Sequence, residues 1–181
     1  DRHHTPWTTI ADHTTLFVVF GGLPSKNAQV SAGGVALHTV KGRLAACRNT
    51  AFVGISPLGS DLDGVPGAEW LAIRPYTDTA MMMGIAHTLV ADDLHDRQFL
   101  TRYTTGFDIF LSYLLGESDG TPKDAAWAAP ICGVPENAIK ALARRMARER
   151  TMISVAWSLQ RASHGEQPLW MAITLAAMLA L

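Results

Sequence analysis

The chain has 181 residues but only two cysteines, Cys47 and Cys132. They are too far apart for a C-x-x-C pair or a zinc-ligand spacing, so both read as small buried apolar side chains. Charge is also scarce: 17% of residues are Asp, Glu, Lys or Arg, and the net charge is −1. No dense Lys/Arg run exists, which argues against a nucleic-acid-binding face. A surface this poor in charge suggests that other protein normally covers part of it. There is no G-x-G-x-x-G and no G-x-x-x-x-G-K-[ST], so neither the dinucleotide fingerprint nor the P-loop is met. Without a G-x-S-x-G or an H-E-x-x-H, hydrolase readings lack a nucleophile or a metal. His3, His4 and His13 have no carboxylate or cysteine at a recognisable ligand spacing. The apolar run from Trp170 to Leu181 is shorter than the ~20 residues of a membrane span and reads as a core helix cut short. With no Met or signal peptide at Asp1 and no helix-stop signal at the end, we read a segment truncated at both ends.

What is present is an alternation of apolar β-type runs and helical patterns. Leu16-Phe-Val-Val-Phe20 is a buried strand closed by Gly21-Gly22; Ala51-Phe-Val-Gly-Ile55 is a second, Trp70-Leu-Ala-Ile73 a third, and Thr151-Met-Ile-Ser-Val-Ala-Trp157 a fourth. Short helices are expected over 26–29 and 35–46, and 58–67 reads as loop. Thr77-Asp78 supplies an N-cap and a first-turn acid to a helix whose inner face is Ala80, Met81, Gly84, Ile85, Thr88 and Leu89. Short helices follow through 96–116, and Ala125 to Ala129 reads as a helical turn. Pro135 opens a helix that buries Ile139, Leu142, Ala143 and Met146. The expected fold is α/β: one domain over 1–181, a parallel sheet with helices on both faces.

Ligands of such sheets gather beyond the carboxyl ends of the strands. Lys26, in the first of these loops, suits a phosphate or is a solvated loop lysine. Asp78 is either a helix-start acid or a carboxylate fork that accepts two N–H groups from a guanine edge. Arg161 either neutralises a pyrophosphate and helps to frame that base, or is a surface arginine. His164-Gly-Glu-Gln167 reads as a hydrogen-bonding loop or, less simply, an acid–base pair.

Three stretches narrow the reading: Ala68-Glu-Trp-Leu-Ala-Ile-Arg-Pro-Tyr-Thr-Asp-Thr-Ala-Met-Met-Met-Gly-Ile-Ala-His-Thr-Leu89, Tyr113-Leu-Leu-Gly-Glu-Ser-Asp-Gly-Thr-Pro-Lys123, and Trp157-Ser-Leu-Gln-Arg-Ala-Ser-His-Gly-Glu-Gln167. They resemble the molybdopterin oxidoreductase superfamily, in its branch of dimethyl sulfoxide, trimethylamine N-oxide and biotin sulfoxide reductases. The resemblance implies a fragment of a larger multidomain molybdoenzyme with a molybdenum bis(molybdopterin guanine dinucleotide) cofactor. It also implies a small S-oxide or N-oxide substrate and an electron donor. The reaction it implies is oxygen-atom transfer, with two electrons and two protons releasing water. The missing N- and C-terminal parts of the same enzyme are the implied partners; neither nucleic acid nor a membrane span is expected. Periplasm and cytoplasm both stay open, with respiratory relatives pointing to the first.

By the same resemblance, this segment holds one guanosine end. Lys26 and Asn27 match the basic loop after the first strand. Ile55, Ser56 and the following Pro57 match a ribose-binding turn, Tyr76, Thr77 and Asp78 the guanine-binding stretch, and Trp157, Ser158, Gln160 and Arg161 the last dinucleotide-contacting loop. Family members usually carry an aspartate where Ser56 stands; losing that charged acceptor removes ~1.5–3 kcal/mol. The metal-ligating serine lies upstream in relatives, so no catalytic or metal-ligating residue is expected here, and the segment alone should not turn over. A non-catalytic nucleotide-binding module and an inactive partial reading frame are the alternatives.

Overall fold

The four strands among the described residues all run parallel, in the spatial order β3-β2-β1-β4. In the computed structural model, which describes residues 5–23, 39–65 and 67–181, β1 is Leu16–Phe20, β2 Ala51–Ser56, β3 Glu69–Ala72 and β4 Thr151–Val155. β1 pairs with β2 from Leu16↔Ala51 to Phe20↔Ile55 and with β4 from Leu16↔Thr151 to Phe20↔Val155. β1 is buried along its whole length, which is why its sequence is uniformly apolar rather than alternating. Its side chains still divide by parity between two cores.

On one face Leu16, Val18 and Phe20 join Val53 and Ile55 beneath the helices that follow β3. On the other, Phe17 and Val19 pack with Ile10 of α1 (Trp7–His13) and Leu44 of α2 (Val40–Ala46). Helices on both faces are therefore present, as the strand pattern required.

The long crossover from β3 to β4 supplies α3 (Asp78–Ala91), α4 (Arg97–Tyr103), α5 (Phe107–Leu114), α6 (Ala125–Cys132) and α7 (Glu136–Arg148); α8 (Glu166–Met178) follows β4. α7 buries Ile139, Leu142, Ala143 and Met146, the face its periodicity predicts, with Pro135 at its N-cap. α3 departs from a one-faced helix. Met82 and Ala86 are as buried as the predicted stripe, because α6, α7 and α8 all pack on it. Thr77 does occupy its N-cap, but the Thr77 hydroxyl donates to the Arg74 carbonyl at 2.7 Å instead of accepting from the helix.

Three further expectations are corrected by packing. Ala125 to Ala129 belongs to a full helix that continues through Pro130 to Cys132, with Asp124 as its capping acceptor. The fourth strand stops at Val155, and Trp157–Gln160 forms a 3-10 turn. Residues within 58–67, read as loop, include a 3-10 turn at Gly59–Leu62. The helix expected over 35–46 is seen as Val40–Ala46 within the described residues; 26–29, with Lys26 and Asn27, lies outside them, as do His3 and His4. Both cysteines are free and buried. Among the described residues no helix is long and apolar enough to cross a membrane.

Candidate functional site

The strand order reverses at β1. The chain moves from β1 outward to β2 and β3, then returns to β4 on the opposite side of β1. In sheets of this order the ligand crevice lies beyond the carboxyl ends of the two strands that flank the reversal. Two hydrogen bonds align its rim: the Gly21 N–H donates to the Ile55 carbonyl and the Ala156 N–H to the Phe20 carbonyl, both at 2.8 Å.

Gly21 and Gly22 both have positive φ, 86° and 81°, which side chains rarely adopt. They also have no room for one. A Cβ on Gly21 would stand 2.7 Å from the Ala156 Cβ, and one on Gly22 2.4 Å from the Asp61 Cβ. The glycine pair is thus what allows the post-β2 and post-β4 segments to close on the end of β1.

Asp78 begins α3 with only 4% of its surface exposed. Its Oδ1 is buried with no hydrogen-bond partner among the described residues. Burial raises its carboxyl pKa to about 6, only partly opposed by a backbone hydrogen bond. A helix N-terminus favours a nearby anion, but a merely structural first-turn acid would be solvated or satisfied. Asp78 instead lines a cavity of about 380 Å³ together with Tyr76, Thr79, Leu159, Ala162, Ser163, His164, Gly165, Gln167 and Pro168. That volume lies within the usual range for small-molecule sites.

The wall opposite Asp78 is the segment between β4 and α8. Gly165 is obligatory there, since a Cβ would meet the Gln160 carbonyl oxygen at 2.1 Å. On the near side, Tyr76 is held at φ 65°, a strained value for a bulky residue, and leaves its ring 75% exposed. Arg74 fixes this turn from behind: its backbone N–H donates to the Cys132 carbonyl at 2.8 Å, and its guanidinium donates to the Pro130 and Ile131 carbonyls at the end of α6.

The structure thus brings Tyr76 and Asp78 together with the segment that carries Trp157 to Gln167. It places the other predicted residues variously. Arg161, two residues beyond Leu159, is exposed and forms no ion pair with any described residue. Trp157 is 78% exposed, and Ser158 and Gln160 are exposed beside it; none of these three lines the Asp78 cavity. The Ile55 side chain lies in the core and its carbonyl is taken by Gly21. Ser56 is fully buried, and its hydroxyl donates to Asp61 Oδ2. Thr77 is half-buried on its Arg74 bond.

Sequence reasoning passed over Asp61 and the cavity wall at Ala162, Ser163 and Pro168. The wall is signalled by a polar run between an apolar strand and an apolar helix; Asp61, inside a Gly/Asp/Pro loop, carries no such signal. His164 Nδ1 stands 3.9 Å from Glu166 Oε1 and its ring is open to solvent, an arrangement suited to a loop rather than to a held acid–base pair.

An α/β sheet with a topological switch point and a cavity lined by a buried carboxylate has the architecture of a ligand-binding domain. The comparisons then place it. The model of the molybdopterin oxidoreductase family matches residues 4–181, and the chain belongs to that family. It is 47% identical over 173 residues to the biotin sulfoxide reductase of Cereibacter sphaeroides, covering 94% of this chain and 23% of that protein. It is 43% identical over 180 residues to the dimethyl sulfoxide/trimethylamine N-oxide reductase of the same organism, covering 98% of this chain and 22% of the relative. The chain therefore spans less than a quarter of the length of these relatives. Acetylene hydratase from Pelobacter acetylenicus shares the fold, with a TM-score of 0.73 at 20% identity over 94% of this chain and 22% of that one. The family implies a molybdenum–molybdopterin cofactor.

Proposed function

We propose that this segment holds the guanosine end of a molybdopterin guanine dinucleotide, within a protein that reduces a small S-oxide or N-oxide. The supporting observation is the Asp78 carboxylate, which is buried at a helix start, lines a cavity, and has one oxygen without a partner among the described residues. Guanine is the common base that presents a ring N–H beside an exocyclic N–H₂. A carboxylate accepts both, and the pair supplies what Oδ1 lacks. The same contact would favour the ionised carboxylate and reverse the effect of burial on its pKa.

The remaining residues divide by chemistry. Tyr76 and Trp157 present exposed aromatic faces beside the crevice. Arg161, which has no ion pair among the described residues, provides a guanidinium for a pyrophosphate, a role that Lys26 and Asn27 would share. Ser158 and Gln160 offer neutral hydrogen-bonding groups on the same loop; Thr77 positions the Tyr76–Asp78 turn, and Ile55 acts only through its backbone. When bound, the cofactor supplies the two-electron oxygen-atom-transfer chemistry; this chain's residues bind and orient it.

The reading of the whole protein rests on its relatives, which are named as sulfoxide and N-oxide reductases. Its reaction needs an electron donor and the rest of the polypeptide, with the periplasm as the proposed compartment. Metal and nucleotide analysis of the intact protein tests it. Molybdenum with about two guanine nucleotides per metal, the ratio implied by the family resemblance, is expected; zinc, no metal, or an adenine nucleotide contradicts it.

A further inference from the structure

Tyr76 is the residue whose conformation the fold explains least. Its backbone sits at φ 65°, a left-handed value that glycine takes freely and a bulky side chain resists. The turn is pinned on either side of it. The Thr77 hydroxyl donates to the Arg74 carbonyl at 2.7 Å, and the Arg74 N–H donates to the Cys132 carbonyl at 2.8 Å. The ring gains nothing within the chain in return. It is 75% exposed and makes no ring–ring or cation–π contact with any described residue. An unfavourable backbone that carries an unused aromatic ring is the mark of a ligand clamp rather than of a core residue.

The ring borders one defined space, the cavity of about 380 Å³ that Asp78 also lines from two residues further on. Trp157 is about as exposed, yet it does not line that cavity. The two exposed aromatics are therefore not equivalent. A carboxylate accepts N–H groups in the plane of a base, so Asp78 can meet only an edge. The face of that base needs apolar or aromatic cover, and Tyr76 carries the largest aromatic ring on the wall.

We infer that the Tyr76 ring stacks on the face of the base held in the Asp78 cavity, and that the left-handed turn is kept to present it there. The two residues then have separate tasks. Every base has a π face, so the stack adds affinity without choosing among bases, while the carboxylate chooses by the edge.

The stack rests on the guanosine reading for the identity of its base, and the experiment separates the two. The intact polypeptide, produced cofactor-free, is titrated with GDP, ADP and inorganic pyrophosphate, and its melting temperature is recorded without ligand. Tyr76→Gly should weaken GDP binding about tenfold or more, the loss expected for one base–aromatic stack, and leave pyrophosphate binding unchanged. Tyr76→Phe, which keeps the ring, should restore the affinity. Ligand-free Tyr76→Gly should melt no lower than the wild type, because glycine accepts the φ of this turn. A clearly lower melting temperature would make the ring part of the fold and overturn the stack. GDP bound by Tyr76→Gly as tightly as by the wild type also overturns it, as does an equal loss for GDP and pyrophosphate. Wild-type protein that binds GDP and ADP equally, with Tyr76→Gly weakening both alike, overturns the guanosine reading and upholds the stack. Wild-type protein that binds neither nucleotide overturns both.

Discussion

Two buried charges in this molecule have opposite surroundings. Lys123, 3% exposed, donates to both oxygens of Asp119 at 2.9 and 2.7 Å and to the Thr121 carbonyl, and stands 4.2 Å from the Tyr113 ring centroid. Asp78, 4% exposed, has an oxygen with no partner among the described residues. Every donor of the lysine is used within its own loop, so the stretch from Tyr113 to Lys123 is a structural staple. The aspartate bears a desolvation cost that a backbone hydrogen bond offsets only in part. Resemblance to a family marks both stretches alike; only the accounting of polar partners separates the one that holds the fold from the one set to receive a ligand.

The comparison predicts opposite outcomes of mutation. Lys123→Met removes the lysine's hydrogen bonds to Asp119 and the Thr121 carbonyl, leaving Asp119 only the Thr121 N–H, and should destabilise the protein by about 1–3 kcal/mol in denaturant unfolding. Nucleotide affinity in the surviving folded protein should stay near that of the wild type; a large loss would mean that the loop reaches the site.

Asp78→Asn should do the reverse. The rise of its pKa to about 6 corresponds to about 3 kcal/mol against the charged form. The amide should therefore raise the stability of the ligand-free protein at pH 8, by about 1–3 kcal/mol, and weaken GDP binding by about 10–100-fold. A variant that is less stable and binds equally well would make Asp78 a helix-start residue and nothing more.

The pH dependence carries the same contrast in sign. Because folding raises the Asp78 pKa, the folded state holds that proton more tightly than the unfolded chain does. Its contribution is fully present below the unfolded value of 3.8 and is lost as pH rises through about 6. Asp119 is shifted the other way, chiefly by its hydrogen bond from Lys123, so its contribution is present above the usual carboxylate range and lost on acidification. Comparing unfolding at pH 5 and pH 8 in wild type and Asp78→Asn isolates the first: the stability gain from the amide should shrink at the lower pH. A gain independent of pH would contradict it.

The sheet was legible in the sequence because β1 and β2 are buried on both faces and read as apolar blocks, and because parallel strands need crossovers that announce themselves as helices. The buried face of α7 was legible because its other side carries Lys140, Arg144 and Arg148 to solvent or partners. The six residues expected on the inner face of α3 are all buried, but Met82 and Ala86 were not legible because helices packing on α3 from several directions leave no polar stripe to mark the outside. Asp78 could be nominated from its position at a strand end and helix start, but its missing partner is a property of three dimensions. The Ser56–Asp61 pair was illegible for the same reason: five residues of irregular loop bring a carboxylate onto Gly22, and no periodicity encodes that return.

The most direct test of the unsatisfied carboxylate is calorimetric titration of the cofactor-free protein with GDP, in two buffers of different ionisation enthalpy, at pH 5 and at pH 8. If a guanine edge completes Asp78, binding at pH 5 should release close to one proton and binding at pH 8 almost none. GDP that binds with no proton release at pH 5, or is bound no better than ADP, would show that the buried oxygen is not what the base meets.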